Sequence, residues 1–382
     1  MPIGHGLLEM LCCPVRKVPL RVMTAQEVRE LNAGVAQGRA FYANGAPVDG
    51  ALENGLVTID DASVYAIRDG VPVLLPELRI FRGGDVPPAP GGRTDSLGEG
   101  PWAGYWENIA RHWDDLKPPR RPAPEDTALL ERLAGECLAG GGSVRARALL
   151  LGVTPEIATM RWPAGTQLLA IDSSAAMIRH VWPTGAVRDA GVVRGDWLAM
   201  PVRDAVCDIV VGDASIAAQP YPDAFFRLVG EVRRALRDDG VLATRAYTRP
   251  EKREPLETIF ADLRGGRIRT LDFFRWRLAA ALHGDRAAGT RMADMWDVWE
   301  ANVPDPPALM RSLGWPPEAA WVMENLRGGE AVLIFPTLGE LRDGLSQWFE
   351  ELACEAPEYP DGDRYPTLLF RRRPRPGNRS AT

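Results

Sequence analysis

From residue 146 onward, short apolar runs alternate with segments of helical period. The runs are rich in Val, Leu and Ile and lack apolar–polar alternation, which is typical of parallel strands buried on both faces. They occupy residues 146–153, 167–171, 192–193, 206–211 and 241–246. Helical periods at 174–181 and 223–236 separate some of them. This alternation predicts a doubly wound, Rossmann-like α/β sheet.

The same patterning divides the chain. Residues 81–100 are rich in Gly and Pro and predict a linker after a small α+β module at 1–80. Lead-in helices and the sheet occupy 101–249, a helical insertion 250–330, a return of the sheet 331–374, and a basic tail 375–382. The lead-in is predicted as one amphipathic helix over 101–116, with four apolar residues on one face. These residues are Trp102, Trp106, Ile109 and Trp113.

Composition excludes several classes of protein. The 382 residues are 46% hydrophobic and carry a net charge of −6, which argues for a globular protein and against a general nucleic-acid binder. No run reaches the roughly 20 apolar residues that span a bilayer, and no basic segment opens a signal peptide. Five scattered cysteines argue against a disulfide scaffold, so a reduced, cytoplasmic protein is expected.

Residues that can contact or hydrogen-bond a ligand follow the predicted strands, at the edge where ligands of open α/β sheets bind. Gly152 follows the first strand and permits close backbone approach, and the next helix starts with Thr154, Pro155 and Glu156. Asp172 ends the second strand, where a carboxylate can accept both hydroxyls of a ribose. The third strand is followed by Asp196 and Trp197, and the fourth ends at Asp213.

This order resembles the class I S-adenosylmethionine-dependent methyltransferases over about residues 146–249 and the C-terminal return. The resemblance implies S-adenosylmethionine as cofactor, Asp172 as the ribose acid, and Asp196 with Trp197 as the pair that reads adenine. The implied cofactor site lies at Gly152, Thr154, Pro155, Glu156, Asp172, Ser173, Met177, Asp196, Trp197 and Asp213. Only one glycine of the family's glycine-rich loop is kept, so the Thr154 hydroxyl and backbone amides are expected to replace it.

Three alternatives stay open at this site. A dinucleotide also uses an acid after the second strand, but it needs a Gly-x-Gly-x-x-Gly loop, which Val153-Thr154-Pro155 does not provide. Asp172 can also be read as a cap of the helix that begins near Ser174. Trp197 can equally be a core residue.

The N-terminal module resembles the small zinc-ribbon-like family that includes the activator subunit of tRNA and protein methyltransferases. The matching stretches are LLEMLCCPVRKVPL (7–20) and YAIRDGVPVLLPE (65–77). Cys13 matches the first zinc ligand of that family, but Arg16 stands at the second, and Thr58 and Asp61 occupy the second pair. A structural zinc site needs four ligands, so no metal is expected.

Methyl transfer depends mainly on alignment, and a base is needed only where the nucleophile must lose a proton. The candidates for such a base are Asp213, His112 and Tyr221. Substrate specificity is expected in the insertion, where Arg275 beside Trp276 can clamp an anionic or aromatic molecule, with Tyr105 on the lead-in helix. A solvated charged helix face is the competing interpretation.

The sequence thus predicts methyl transfer to a small-molecule acceptor. A non-catalytic scaffold or regulator with a methyltransferase fold remains an alternative, because the chain keeps only one glycine of the glycine-rich loop and only one of the zinc ligands. A methyltransferase acting on tRNA or protein is the third hypothesis, suggested by the activator-like module. The sequence does not determine whether the protein forms a homodimer.

Overall fold

The computed structural model describes residues 4–81, 102, 104–140 and 145–374. The predicted linker and tail therefore lie almost entirely outside the described residues. Within these ranges, every helix is too short or too polar to cross a bilayer.

The centre of the molecule is a twelve-stranded sheet formed by the described residues. The first five strands are β1 (Leu20–Val22), β2 (Asn54–Thr58), β3 (Ser63–Arg68), β4 (Val71–Leu74) and β5 (Ile80–Phe81). They are followed by β6 (Arg147–Leu151), β7 (Gln167–Asp172), β8 (Ala190–Gly195), β9 (Cys207–Asp213) and β10 (Leu236–Arg245). The last four are β11 (Thr290–Arg291), β12 (Val332–Leu333), β13 (Phe349–Glu355) and β14 (Thr367–Arg372).

The strand order through the core is β8-β7-β6-β9-β10-β14-β13. Strands β6 to β10 pair in parallel, whereas β14 runs antiparallel to β10 and to β13. This is the doubly wound Rossmann-like sheet of class I methyltransferases, so the predicted fold class is confirmed. The order reverses between β6 and β9, which is the switch point where ligands bind in such sheets.

The apolar runs of the strands have a simple structural cause. In β6, Leu149 and Leu151 belong to the core on one face of the sheet, and Ala148 and Leu150 to the core on the other face. All four side chains are at most 1% exposed. A strand covered on both faces has no polar side, which explains the lack of alternation.

The N-terminal module continues this sheet. Strands β1, β2, β3 and β4 form antiparallel pairs, and β4 then pairs in parallel with β8. The register joins Val73 to Arg194 and Leu74 to Gly195. The module therefore covers an edge of the methyltransferase sheet that would otherwise expose unpaired backbone groups.

Helices cover both faces of the sheet and build the insertion. The first six are α1 (His5–Leu8), α2 (Ala25–Ala36), α3 (Tyr105–Arg111), α4 (Pro124–Gly140), α5 (Pro155–Ala158) and α6 (Ala175–Val181). The others are α7 (Asp223–Ala235), α8 (Leu256–Arg264), α9 (Leu271–Leu282), α10 (Met292–Asn302), α11 (Pro306–Leu313), α12 (Trp321–Glu324) and α13 (Leu338–Ser346).

Two predicted elements are wrong. The helix expected over 101–116 is shorter, because Gly104 adopts a left-handed conformation (φ 70°) immediately before α3 begins, and a 3₁₀ turn follows at Trp113–Asp115. Trp106 is 45% exposed, so the four apolar residues do not share one buried face. The return of the sheet also does not begin near residue 331, since β12 pairs only with β11 and closes the insertion.

The insertion has its own hydrophobic core. Helices α8 to α12 enclose buried aromatic and aliphatic side chains, among them Phe260, Phe274 and Trp299. Tyr247, just after β10, belongs to the same core. The insertion is thereby anchored at the carboxyl end of the sheet, on the side of the crevice opposite the N-terminal module.

Candidate functional site

The crevice at the carboxyl ends of the central strands starts at Gly152, just after β6. Gly152 has φ +107°, a conformation that side-chain-bearing residues rarely adopt, and its N–H donates to the Ile171 carbonyl at 2.8 Å. A Cβ atom at this position would lie 3.7 Å from the Trp197 ring. The glycine therefore provides bare backbone at the end of the first strand, as the sequence predicts.

The three residues that open α5 lie next to this glycine. Thr154 is buried and precedes α5 without a side-chain capping bond, and Pro155 occupies the first turn. Glu156 pairs with Arg121 through a 2.7 Å bond from Nε to Oε1, while its buried Oε2 has no hydrogen-bond partner. One oxygen of Glu156 and the Thr154 hydroxyl are thus the polar groups that this turn can offer to a ligand.

Asp172 lies at the end of β7, where the ribose acid is predicted. Its Oδ1 accepts the N–H of Ser174 at 2.8 Å, and Ser174 in turn caps α6 through the N–H of Met177. Burial raises the pKa of Asp172 to about 7, although this bond and the nearby Arg194 oppose the change. The N-cap of α6 is therefore Ser174, and Asp172 supports this cap through one oxygen instead of capping the helix itself. The side chain of Asp172 is half-buried.

Asp196 and Trp197 follow β8 in a 3₁₀ turn. Asp196 accepts the N–H of Leu198 at 2.8 Å, and burial raises the pKa of its carboxyl group. The indole N–H of Trp197 donates to the Ile171 carbonyl at 2.7 Å, and its ring packs on the core. The ring of Trp197 therefore packs as a core residue, as the alternative interpretation predicts. It also forms one wall of the crevice between β6 and β7.

Two charged residues of this region were not predicted. Arg194, in β8, donates from Nε to the Ser173 carbonyl at 2.9 Å. Burial lowers the pKa of Arg194, and the charges of Glu77 and Asp172 oppose that change. Burial also raises the pKa of Glu77, which interacts with Asp196 and Arg194. Glu77 comes from the N-terminal module, and the sequence signal for it is the YAIRDGVPVLLPE stretch, since the strand in this stretch pairs with β8.

Asp213, at the tip of β9, is fully engaged in an ion pair. Arg245 donates to its two oxygens at 2.7 and 3.1 Å and also to Asp126 Oδ2 at 3.1 Å. Arg245 is 2% exposed and further donates to the Pro119 carbonyl at 2.8 Å. Because both carboxylate oxygens of Asp213 accept from the guanidinium, the structure argues against the predicted role as a base.

The other two base candidates lie apart from this ion pair. His112 Nδ1 is 3.0 Å from Asp115 Oδ2, and the imidazole packs on Trp321 with 4.6 Å between ring centroids. The Tyr221 ring lies under the Arg286 guanidinium at 3.9 Å. Within the described part of the chain, no hydrogen bond joins His112, Tyr221 and Asp213, so they do not form a catalytic group together.

The predicted substrate residues do meet. Arg275, in α9, donates from Nη2 to the Tyr105 hydroxyl at 3.1 Å, and its guanidinium carbon lies 5.1 Å from the Trp276 ring centroid. Burial would raise the pKa of Tyr105, but Arg275 and Arg120 outweigh it, and the pKa is lowered. The Trp276 ring packs on Tyr247 at 5.1 Å, which connects this group to the end of β10.

The N-terminal cysteines serve the packing of the module. Cys12 and Cys13 are fully buried, and Cys13 Sγ lies 3.1 Å from the Tyr65 hydroxyl. Thr58, at one predicted ligand position, accepts the N–H of Ser63. Among the residues that the structure describes, no group of three or more His, Cys, Asp or Glu is arranged to hold a metal.

The residues at the crevice fit an adenosine-type cofactor. Gly152 offers close backbone approach, and Asp172 offers a half-buried carboxyl group with a raised pKa at the next strand end. Asp196 offers a second desolvated carboxyl group one strand further along the sheet. Carboxylate acceptors suit the hydroxyl and amino groups of a nucleoside, whereas a pyrophosphate needs successive free backbone amides.

Comparison with known proteins agrees with this geometry. The methyltransferase domain family matches residues 150–244, about a quarter of the chain. None of the curated proteins matches the sequence.

Several solved structures resemble the chain weakly. N-methyltransferase NodS from Bradyrhizobium japonicum, with S-adenosyl-L-homocysteine, is 11% identical, with 70% of this chain and 98% of that chain covered and a TM-score of 0.40. The 1,6-didemethyltoxoflavin-N1-methyltransferase of Burkholderia thailandensis is 12% identical, with 82% and 97% covered and a TM-score of 0.40. XF2673 from Xylella fastidiosa is 33% identical, with 21% and 81% covered and a TM-score of 0.17.

TM-scores below 0.5 carry no argument about activity. The domain match and the strand order support an enzyme of the S-adenosylmethionine-dependent methyltransferase type, with S-adenosylmethionine as its cofactor.

Proposed function

We propose that this protein transfers a methyl group from S-adenosylmethionine to a small-molecule acceptor. The observation that carries the proposal is the coincidence of the methyltransferase domain match with desolvated carboxyl groups at the ends of β7 and β8. S-adenosylmethionine supplies the activated methyl group.

Each residue of the crevice has a part in holding that cofactor. Asp172 would accept hydrogen bonds from the ribose hydroxyls, and Asp196 would accept one from the adenine amino group. Gly152 allows the backbone to approach closely, and Trp197 closes the crevice wall. The insertion, whose core includes Tyr247 just after β10, would supply the acceptor side of the site.

Two other functions have specific support. The Trp197 ring beside Gly152 and the ion-paired Asp213 favour a scaffold with a methyltransferase fold that lacks turnover. The N-terminal module favours a tRNA or protein acceptor through its resemblance to the activator family. Deleting residues 1–80 does not test the latter cleanly, because β4 is part of the central sheet.

The proposal is tested by titrating the full chain with S-adenosylhomocysteine in a calorimeter and by following radiolabelled methyl transfer into fractionated cell extract. We expect saturable one-to-one binding and label in the small-molecule fraction. Binding without transfer would support the scaffold, label in tRNA or protein would support the macromolecular acceptor, and failure to bind would overturn the proposal.

The affinity for S-adenosylhomocysteine should rise with pH. The folded-state pKa of Asp172, about 7, lies above the ordinary value of 3.8, so the carboxyl group is largely protonated below neutral pH. Ribose hydroxyls donate more strongly to the carboxylate, whose fraction rises from about one tenth at pH 6 to about nine tenths at pH 8. We therefore expect the dissociation constant to fall about tenfold over that range.

The prediction is checked by calorimetric titration with S-adenosylhomocysteine at pH 7 in two buffers of different ionisation enthalpy, which measures the number of protons released on binding. Binding should release roughly half a proton, because about half of the Asp172 carboxyl groups are protonated before binding. An affinity that is constant with pH, with no proton release, would show that Asp172 does not bind the ribose as a carboxylate.

A further inference from the structure

A group of buried N–H donors without acceptors lies between α3 and the insertion. Arg275 is 0% exposed, and its Nε and Nη1 groups have no hydrogen-bond partner among the described residues. The indole Nε1 of the adjacent Trp276 is also buried without a partner. Buried donors are nearly always paired in folded proteins, and each unpaired one costs free energy. We call Arg275, Trp276 and Tyr105 the donor cluster.

Charge in the donor cluster is unbalanced. The neighbouring Arg120 is paired with Asp272 at 3.3 Å, and both side chains are at most 5% exposed. Arg275 has no carboxylate within 4.0 Å in the described part of the chain, and its one hydrogen-bond partner there is the Tyr105 hydroxyl. Asp272 interacts electrostatically with Arg275 as well as with Arg120, so two buried guanidinium groups share one carboxylate. The excess positive charge is costly in a buried position, and an anion is the natural compensation.

The donor cluster lies on the acceptor side of the cofactor crevice. Trp276 packs on Tyr247, whose hydroxyl shares the Pro119 carbonyl with Arg245, and Arg245 holds Asp213 at the tip of β9. On the other side, α3 packs on α6, the helix that follows the ribose acid. One side of the donor cluster therefore lies near the predicted ribose site. Its other side lies near the tips of β9 and β10.

We propose that the donor cluster binds the carboxylate of the methyl acceptor. A carboxylate can accept from the unpartnered Nε or Nη1 of Arg275 together with the second hydrogen of Nη2, whose other hydrogen goes to the Tyr105 hydroxyl, and the Trp276 N–H is a further donor nearby. The aromatic rings of Tyr105 and Trp276 provide flat walls for the body of the acceptor. This inference rests on the proposed function and adds that the acceptor is a small carboxylic acid.

The test uses the full chain saturated with S-adenosylhomocysteine and two pairs of matched probes, acetate with acetamide and benzoate with benzamide. We expect at least one acid to bind about tenfold or more tightly than its neutral amide. Arg275→Met should abolish this preference, whereas Arg264→Met, which removes an exposed arginine from α8, should keep it. The dissociation constant of S-adenosylhomocysteine should stay within about twofold in both variants.

The stability of Arg275→Met separates a binding role from a structural one. Because the variant leaves one buried guanidinium, Arg120, for the one carboxylate of Asp272, its thermal midpoint should equal or exceed that of the wild type. A variant that unfolds or loses S-adenosylhomocysteine would show that Arg275 supports the fold, which contradicts the inference. Equal binding of acids and amides by the wild type would also overturn it, while failure of S-adenosylhomocysteine to bind would instead refute the proposed function.

Discussion

The Arg245→Met variant is expected to lose about 3–5 kcal/mol of unfolding free energy at neutral pH, the typical cost of breaking a buried ion pair from one side. Arg245 is the shared partner of Asp213 and Asp126, and the three side chains are at most 8% exposed. Met fills similar space but leaves two buried carboxylates without a counter-charge. Urea unfolding followed by circular dichroism measures the loss.

The loss should shrink as the solution is made acidic. Burial raises the pKa values of Asp213 and Asp126, with Arg245 opposing the change, so removing Arg245 should raise them further. Both groups then take up protons in the folded state, which relieves the unpaired charge. We expect the difference between variant and wild type to be clearly smaller at about pH 5 than at pH 7.

A matched surface variant provides the control. Arg132 pairs with Glu136 and Glu355, and all three side chains are at least 43% exposed. Exposed pairs contribute less than about 1 kcal/mol, so Arg132→Met should barely change unfolding. Equal losses in the two variants would show that the Arg245 cluster is not a buried electrostatic support of the strand tips.

Replacing the ribose acid should have the largest effect on cofactor binding. Asp172→Asn keeps an oxygen for the Ser174 N–H, so α6 retains its start and the fold is preserved. It removes the carboxylate that accepts the ribose hydroxyls, and hydrogen bonds to charged groups contribute about 1.5–3 kcal/mol. We expect the dissociation constant of S-adenosylhomocysteine to increase about 10- to 100-fold, measured by calorimetry at pH 8.

Asp189→Asn is the control for this substitution. Asp189 is exposed in the turn before β8, at the opposite end of the sheet, and has φ +56°, which Asn tolerates well. The Asp189→Asn variant should bind S-adenosylhomocysteine with the affinity of the wild type. The Asp172→Asn variant should also lose the pH dependence of binding, and an unchanged affinity in that variant would exclude Asp172 from the site.

The strands and the Asp residues at their ends could be predicted because both depend on local sequence patterns. Leu149 and Leu150 face opposite cores, which makes the first strand apolar throughout, and Asp172 and Asp213 end their strands where the apolar runs stop. The insertion could be recognised because it breaks the alternation of strand and helix.

The remaining features depend on contacts between distant segments. Arg245 reaches Asp126 across 119 positions, and the pairing of β4 with β8 joins segments about 120 residues apart, so no local pattern indicates either one. For this reason the sequence predicts Asp213 as a candidate base and does not indicate its ion pair with Arg245. Arg275 was identified by its aromatic neighbours, but no local pattern indicates that its Nε and Nη1 donors are buried without partners among the described residues.

A crystal structure of the full chain with S-adenosylhomocysteine tests the central claim most directly. The account predicts that the nucleoside lies across the ends of β6, β7 and β8, with the Asp172 carboxylate within hydrogen-bond distance of both ribose hydroxyls and Asp196 at the adenine. A crevice closed by the Trp197 ring, with the nucleoside bound elsewhere or not at all, would contradict it.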